Sequence, residues 1–529
     1  MADEDPARYR PIIYVRGYAM SRNEIDDTTA DPFCGFNLGS TVLRATPDPK
    51  QAPKKFVFES PLVRLQSDYG YSDVYSNGVD ILDPDWSGTI TMRSVVIYRY
   101  YDSASTLLGT GKTPEIEQFG RDLGTLILRV RELVRDDRGR PMAPKDFGCY
   151  LVAHSMGGLV CRAFLQNSTL SSAEARKCVD KFFTYATPHN GIDLAGQNVP
   201  DWLSLNDVNN FNRKRMAEYL DLGPLFKKTG RVDWMPESTL SSSRVFCMVA
   251  TNRSDYEAAA GLSRTFAGHG SDGLVRIANA SVWGVNDAGN VSTPSATAYA
   301  YRSHSGHFGI VNSEEAYQNL VRFLFGDVRV DIWLDVEDVR VPKELAADDA
   351  KGKVNGLYQF ELLAAPRGSR WYLTRRTSEE DSVACRSHAD LRDPAKASAR
   401  HIYFSTAFLA KRFRVNKKRN TLAYSLTLGV RVPDYEVERR FWPDRHYEGQ
   451  YLFRDSLVLE MRPPADDDGD WQIDYDWESD KVGGATTPVP VKQLRGGKVE
   501  VTIPFSTGDA TAQPGIKGQL RFVISEWNV

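Results

Sequence analysis

The segment Tyr150-Leu151-Val152-Ala153-His154-Ser155-Met156-Gly157-Gly158-Leu159-Val160 constrains the chain more than any other. Four residues suited to a buried strand run into His-Ser-Met-Gly and then into an apolar stretch that continues as a helix to about Gln166. A serine between a strand and a helix sits on a sharp, strained turn, and its Oγ projects above the sheet. The turn needs small residues where the two backbones approach, and Ala153 and Gly157 supply them. The helix N-terminus at the serine favours negative charge on its oxygen or on a bound substrate. Ser155 is therefore the candidate nucleophile.

The surroundings repeat the same alternation. Ile12–Val15, Ser94–Tyr101, Phe147–Ala153, Lys181–Ala186 and Val245–Ala250 are short apolar runs of strand type. Between Pro114 and Arg135 the apolar residues 116, 119, 123, 126, 127, 130, 133 and 134 form one helical face. Pro114 is expected in the first turn and Thr113 as the cap. A further helix is expected from Ser313 to Phe325, with Asn312 or Ser313 capping it. Strands alternating with helices imply a mostly parallel sheet covered on both faces.

Two long stretches interrupt the rhythm. Residues 19–93 are rich in Asp, Ser, Gly and Tyr, and residues 192–243 carry scattered apolar anchors: Trp202, Leu203, Phe211, Leu220, Leu225, Phe226 and Trp234. Insertions of this length in a compact domain usually serve as lids or binding loops. After Gly326-Asp327 the helical period vanishes. Val328–Val336, Leu357–Leu363, Ile402–Leu409, Leu422–Val432, Ser456–Met461, Lys498–Ile503 and Gly518–Ile524 alternate or are β-branched, the pattern of a β-sandwich. The expected organisation of the 529 residues is a catalytic domain over 1–327, with a cap near 192–243, and an all-β accessory domain over 328–529.

Ala153-His154-Ser155-Met156-Gly157-Gly158-Leu159-Val160 resembles the nucleophile turn of bacterial lipases and esterases of the α/β-hydrolase superfamily. Thr187-Pro188-His189-Asn190-Gly191 resembles the T-P-H-x-G stretch of the same lipases. The resemblance covers roughly residues 10–327 and departs at Ala153, where the commonest pattern has Gly. It implies an α/β-hydrolase fold and a triad in the chain order Ser, acid, His. A serine is a poor nucleophile until a base oriented by an acid takes its proton.

Ser271-Asp272-Gly273-Leu274-Val275 resembles the acid-bearing stretch of these lipases, which makes Asp272 the acid and leaves Asp255 as its rival. After Ser155 the candidate bases are His189, His269, His304 and His307. His307-Phe308-Gly309-Ile310-Val311-Asn312-Ser313 resembles the spacing at the catalytic His of small lipases, so His307 comes first. His304, flanked by Ser305 and Gly306, stands beside it as the second candidate. His189 fits a place beneath the pocket better than the role of base. The oxyanion hole needs two backbone N–H groups. Met156 follows the nucleophile, and Val15-Arg16-Gly17-Tyr18 resembles the family's H-G-x loop, with Arg16 in place of the usual His, so Tyr18 is the second donor.

The implied activity is hydrolysis of a carboxylic ester, of a lipid such as a phospholipid or of another small acyl substrate, without cofactor or metal. Amidase, thioesterase or acyltransferase chemistry would use the same residues, and an inactive scaffold acting as an interaction protein is the rival of another class. The 66 basic and 69 acidic residues leave a net charge of −3, which argues against a dedicated nucleic-acid binder. No run of 18 apolar residues suggests a transmembrane helix. The acidic start Met1-Ala2-Asp3-Glu4-Asp5-Pro6 lacks a secretory pattern, and the six dispersed cysteines suit a reducing compartment; a cytoplasmic location is expected. Asp466-Asp467-Asp468-Gly469-Asp470 lacks the alternating spacing of a calcium loop. Lys411-Arg412-Phe413-Arg414 with Lys417-Lys418-Arg419 is read as a solvated strand-turn face, although a peripheral membrane or protein contact through the β-domain stays open.

Overall fold

A computed structural model describes the chain except for residues 1–7, 18–25, 27, 32, 45–49, 53, 75–80, 84, 87, 106–113, 137, 195–196, 199–205, 254–269, 307–308, 370, 438–444, 465–468, 481–485, 509–510 and 529. Two compact units divide it: Met1–Thr297 with Tyr301–Leu320, and Ala298–Ala300 with Val321–Val529.

The central sheet is built from β1 (Ile12–Val15), β2 (Ser72–Asp73), β3 (Ser94–Tyr98), β4 (Cys149–His154), β5 (Val179–Tyr185), β6 (Val245–Ala250) and β7 (Ala296–Ala300), in the spatial order β7-β6-β5-β4-β1-β3-β2. Neighbours from β2 through to β6 are parallel. The chain starts in the middle at β1, adds β2 and β3 on one side, then crosses to β4 and winds away on the other. Winding therefore reverses between β1 and β4, whose register pairs Val15 with Ala153. In an open α/β sheet that reversal opens a crevice at the carboxyl ends of the strands. The candidate nucleophile follows β4 at that place.

Two helices pack beside it, α1 (Ile116–Leu133) and α2 (Met156–Gln166). Every residue of α2 is buried. The pair crosses closely because α1 places glycines at the contact: a Cβ on Gly120 or Gly124 would stand 3.4 Å and 3.3 Å from atoms of Phe164. The first helix begins at Ile116, with Glu115 at the cap and no side-chain cap bond, rather than at the expected Pro114; Thr113 lies outside the described residues. The expected strand 94–101 ends at Tyr98, because Arg99 turns to bond Asp102 and a 3₁₀ turn follows over Asp102–Ala104.

Within 192–243, α3 (Arg213–Tyr219) and α4 (Gly223–Thr229) form. The anchors Phe211 and Leu220 are buried in the same core as the sheet and α2, and Leu225, Phe226 and Trp234 pack against it. Full burial of a side chain of this size contributes roughly 1.5–3 kcal/mol, so these residues hold the insertion down rather than line a path for substrate. Trp202 and Leu203 lie outside the described residues. The helix α5 (Glu314–Phe325), which begins in the first unit and ends in the second, is capped by Ser313, whose Oγ accepts from the Ala316 N–H at 3.2 Å. Among the described residues no helix is long and apolar enough to cross a membrane.

The second unit is antiparallel. Its longest strands are β8 (Val328–Arg340), β9 (Val354–Pro366), β10 (His401–Leu409), β11 (Leu422–Arg431), β12 (Tyr451–Arg462), β13 (Val499–Ser506) and β14 (Gly515–Glu526). One sheet runs β10-β8-β14-β13, the other centres on β9-β11-β12. Inward residues of both sheets, among them Val330 and Ile332 on one and Leu362 and Leu426 on the other, share one buried cluster. That is a sandwich core.

Candidate active site

Ser155 stands between β4 and α2 with φ 51° and ψ −126°, a conformation unfavourable for a residue with a side chain. Its N–H donates to the Tyr185 carbonyl at 2.9 Å, and its own carbonyl accepts from Gly158 N–H at 3.0 Å. Three glycines admit the turn. A Cβ on Gly157 would lie 2.3 Å from the Arg16 carbonyl oxygen and 2.4 Å from that of Val15. One on Gly158 would lie 2.2 Å from Thr187 Oγ1, and one on Gly17 2.7 Å from Cβ of Ser155 itself. The helix start thus rests on the backbone at the end of β1.

His304 Nε2 is 2.9 Å from Ser155 Oγ, and its Nδ1 is 2.8 Å from Asp272 Oδ2. A carboxylate only accepts, so Nδ1 carries the hydrogen and Nε2 is left to accept from the hydroxyl. All three side chains are buried, at 3%, 2% and 1% exposure for Ser155, His304 and Asp272. Asp272 is held firmly: its Oδ1 accepts from Leu274 N–H at 3.0 Å and Val275 N–H at 2.7 Å, in a turn that Gly273 closes with φ +99°. The backbone joins the same parts, with His304 N–H donating to the Asp272 carbonyl at 3.1 Å.

His154 braces His304 from the other side. Its Nε2 donates to the His304 carbonyl at 2.9 Å. Burial first, then the neighbouring His304, hold its pKa well below the usual imidazole value, so the ring is a neutral donor. Tyr100 fixes the loop after β1 by donating to the carbonyls of Arg16 at 2.7 Å and Gly17 at 3.2 Å, while Arg16 Nη1 donates to the Cys34 carbonyl at 2.5 Å.

Beneath the site, Arg162 on α2 is wholly buried. Its guanidinium donates to Gln166 Oε1 at 2.8 Å and to the carbonyls of His189, Val232 and Trp234 at 2.9, 2.8 and 2.8 Å. Burial lowers its pKa to about 10, so it stays ionised at neutral pH. His189 packs below, with Nε2 3.2 Å from Thr184 Oγ1 and 3.6 Å from Cys247 Sγ; burial, with Arg162 nearby, keeps its pKa well below the usual range. Asn190 locks the following turn, bonding Asn279 and accepting from Val232 N–H.

Of the residues expected from the sequence, Ser155, Asp272 and His304 are brought together, and Met156 opens α2 beside them. His307, Tyr18, Asp255 and His269 lie outside the described residues. Missing from the expectation were Tyr100, His154 as a brace, and Arg162. The run of tyrosines from 69 to 101 was visible, but nothing in its spacing ties Tyr100 to Gly17. An arginine inside an otherwise apolar helix was the visible sign of Arg162.

The sheet order, the reversal between β1 and β4, and a serine on the turn after β4 make this an α/β-hydrolase fold. No family model matches the chain, and no curated protein matches it. Among solved structures it is similar to the mature form of the Bacillus licheniformis lipase BlEst2, at 14% identity over 61% of this chain and 95% of that one, with a TM-score of 0.28.

Proposed function

We propose that the chain is a serine hydrolase that cleaves a carboxylic ester through an acyl-enzyme. The observation that carries this is the unbroken path Ser155 Oγ, His304 Nε2, His304 Nδ1, Asp272 Oδ2, with hydrogen-bond distances of 2.9 and 2.8 Å in a buried setting. Ser155 Oγ attacks the ester carbonyl as its proton passes to His304 Nε2, and the Asp272 carboxylate stabilises the imidazolium. The N–H of Met156, an unclaimed donor of the first helical turn, and that of Tyr18 receive the oxyanion. His304 returns the proton to the departing alcohol, then draws one from water as it attacks the acyl-enzyme.

The base in this scheme is His304. Esters of lipids are the first substrate class to test, with soluble short-chain esters, triglycerides and phospholipids compared side by side. A fluorophosphonate probe tests the reaction type directly. Stoichiometric label on Ser155 in folded protein, lost in Ser155→Ala, is the expected result, and a folded protein that takes up no label contradicts the proposal.

Gly17 offers a second check. Its Cα faces Cβ of Ser155 and Nδ1 of His154, which an added methyl would approach to 2.7 and 2.8 Å. Gly17→Ala should push the loop off the oxyanion position and lower kcat about 100-fold or more, the cost of one lost donor. KM should move far less. Turnover near that of the parent protein would take this loop out of the oxyanion hole.

A further inference from the structure

A cavity of about 470 Å³ opens in the β-sandwich unit, between the turn after β9 and the loop from β10 to β11. Its size falls in the range of small-ligand sites. Four arginines line it, Arg322, Arg367, Arg414 and Arg419, against a single acidic residue, Glu460, which Arg367 bonds at 3.1 Å. Arg414 is held in place by carbonyl-type acceptors alone: Nε donates to Lys411 O, and Nη1 donates to Arg419 O and Asn420 Oδ1. Arg322 lies over the Phe413 ring at 4.2 Å. The acceptors around Arg414 are neutral oxygens, the lining holds four arginines against one carboxylate, and the adjoining sequence adds Lys411, Arg412, Lys417 and Lys418 without an acidic residue between them. Like charge gathered around a concavity raises the local potential and draws anions.

The cavity is also apolar on two levels. Leu409, Ala410 and Leu422 are its buried lining. At the rim Phe413 is 38% exposed and Val415 is 73% exposed, more than any other large apolar side chain among the described residues. Val415 is placed there by a built contact. Its Cγ2 would sit 2.4 Å from a Cβ on Gly368, where φ is +83°, so the turn after β9 supports the projecting loop. The sequence suggested a solvated basic face; of its residues Phe413, Arg414 and Arg419 also line this cavity.

We propose that this cavity binds the phosphate headgroup of an anionic lipid at a membrane surface, with Phe413 and Val415 entering the interfacial layer. Guanidinium forks match phosphate oxygens in pairs. Clustered cations beside exposed apolar side chains are the combination that peripheral binding to an anionic bilayer uses. A free phosphate would satisfy the arginines but leave the two rim side chains without a role.

The full-length chain should float with vesicles of phosphatidylcholine containing phosphatidylglycerol and not with phosphatidylcholine alone. Arg367→Gln and Arg419→Gln, both at exposed positions, should each weaken retention about five-fold, since one basic group near such a surface contributes ~1 kcal/mol. Val415→Asp should weaken it at least as much, with the melting temperature of all three variants unchanged. Calorimetry with inorganic phosphate and with glycerol phosphate forms the other arm. Binding of either without vesicle retention would overturn the lipid source and give the cavity to a soluble phosphate compound. Retention that ignores the arginine variants, or no binding in either arm, would overturn the site altogether.

Discussion

His304→Ala is expected to lower kcat on a short-chain p-nitrophenyl ester by about 10⁴-fold to 10⁶-fold, the range seen when a triad base is removed. His307→Ala should leave turnover within a few-fold of the parent. The difference rests on geometry: His304 alone among the described histidines reaches both Ser155 Oγ and Asp272 Oδ2. It is also fixed at its backbone, donating its N–H to Asp272 and its carbonyl accepting from His154. Because His304 is buried, the turnover of each variant is to be compared on protein that circular dichroism shows to be folded. Full activity in His304→Ala would remove the proposed base, and loss confined to His307→Ala would transfer the role.

The largest loss of stability should come from Arg162→Ala. Deleting the guanidinium strands the carbonyls of His189, Val232 and Trp234 in the interior, together with Gln166 Oε1. A buried acceptor left without its donor costs about 1–3 kcal/mol, and the void adds to it. Partial relaxation keeps the total near 4 kcal/mol or somewhat above. Arg162→Lys should recover only a minor part, because one ammonium cannot span acceptors that a planar fork serves together. Urea unfolding followed by tryptophan fluorescence reads both values. An unchanged midpoint in Arg162→Ala would mean that the carbonyls find other donors.

Local chemistry decided what could be seen in the sequence. The strand, the serine turn and α2 are contiguous, and the requirements of each fall within eleven residues, so Ser155 and its glycines were legible. Likewise Asp272-Gly273 carries its own turn, and that turn together with its place after Ser155 in the chain order made Asp272 the candidate acid. The choice between His304 and His307 was not legible. It depends on how the loop folds back, with Ser303 bridging Gly309 and Gly306 at φ +87°, which residue spacing does not encode. Strand β7 escaped notice because Ala296-Thr297-Ala298-Tyr299-Ala300 has the weak strand preference of alanine, and only its complete burial in the sheet makes it a strand. Within 19–93, read as one insertion, the chain builds a hairpin of Ser40–Arg44 with Lys54–Phe58 and the edge strand β2. For the β-sandwich the alternation was plain, but the cavity beside Arg414 was not, since its walls come from four separate parts of the chain.

The central place of β1 has a consequence for how the protein is made. Ile12 pairs with Val95 on one side and with Tyr150 on the other. A ribosome therefore delivers the first strand long before the second of its neighbours. At ~5–20 residues per second, the interval between Ile12 and Tyr150 is on the order of ten seconds. During that time Ile12-Ile13-Tyr14-Val15, every residue of which ends up buried, has an unpaired edge. The nascent chain thus presents a sticky tetrapeptide to chaperones, and the serine turn cannot close until the wait is over.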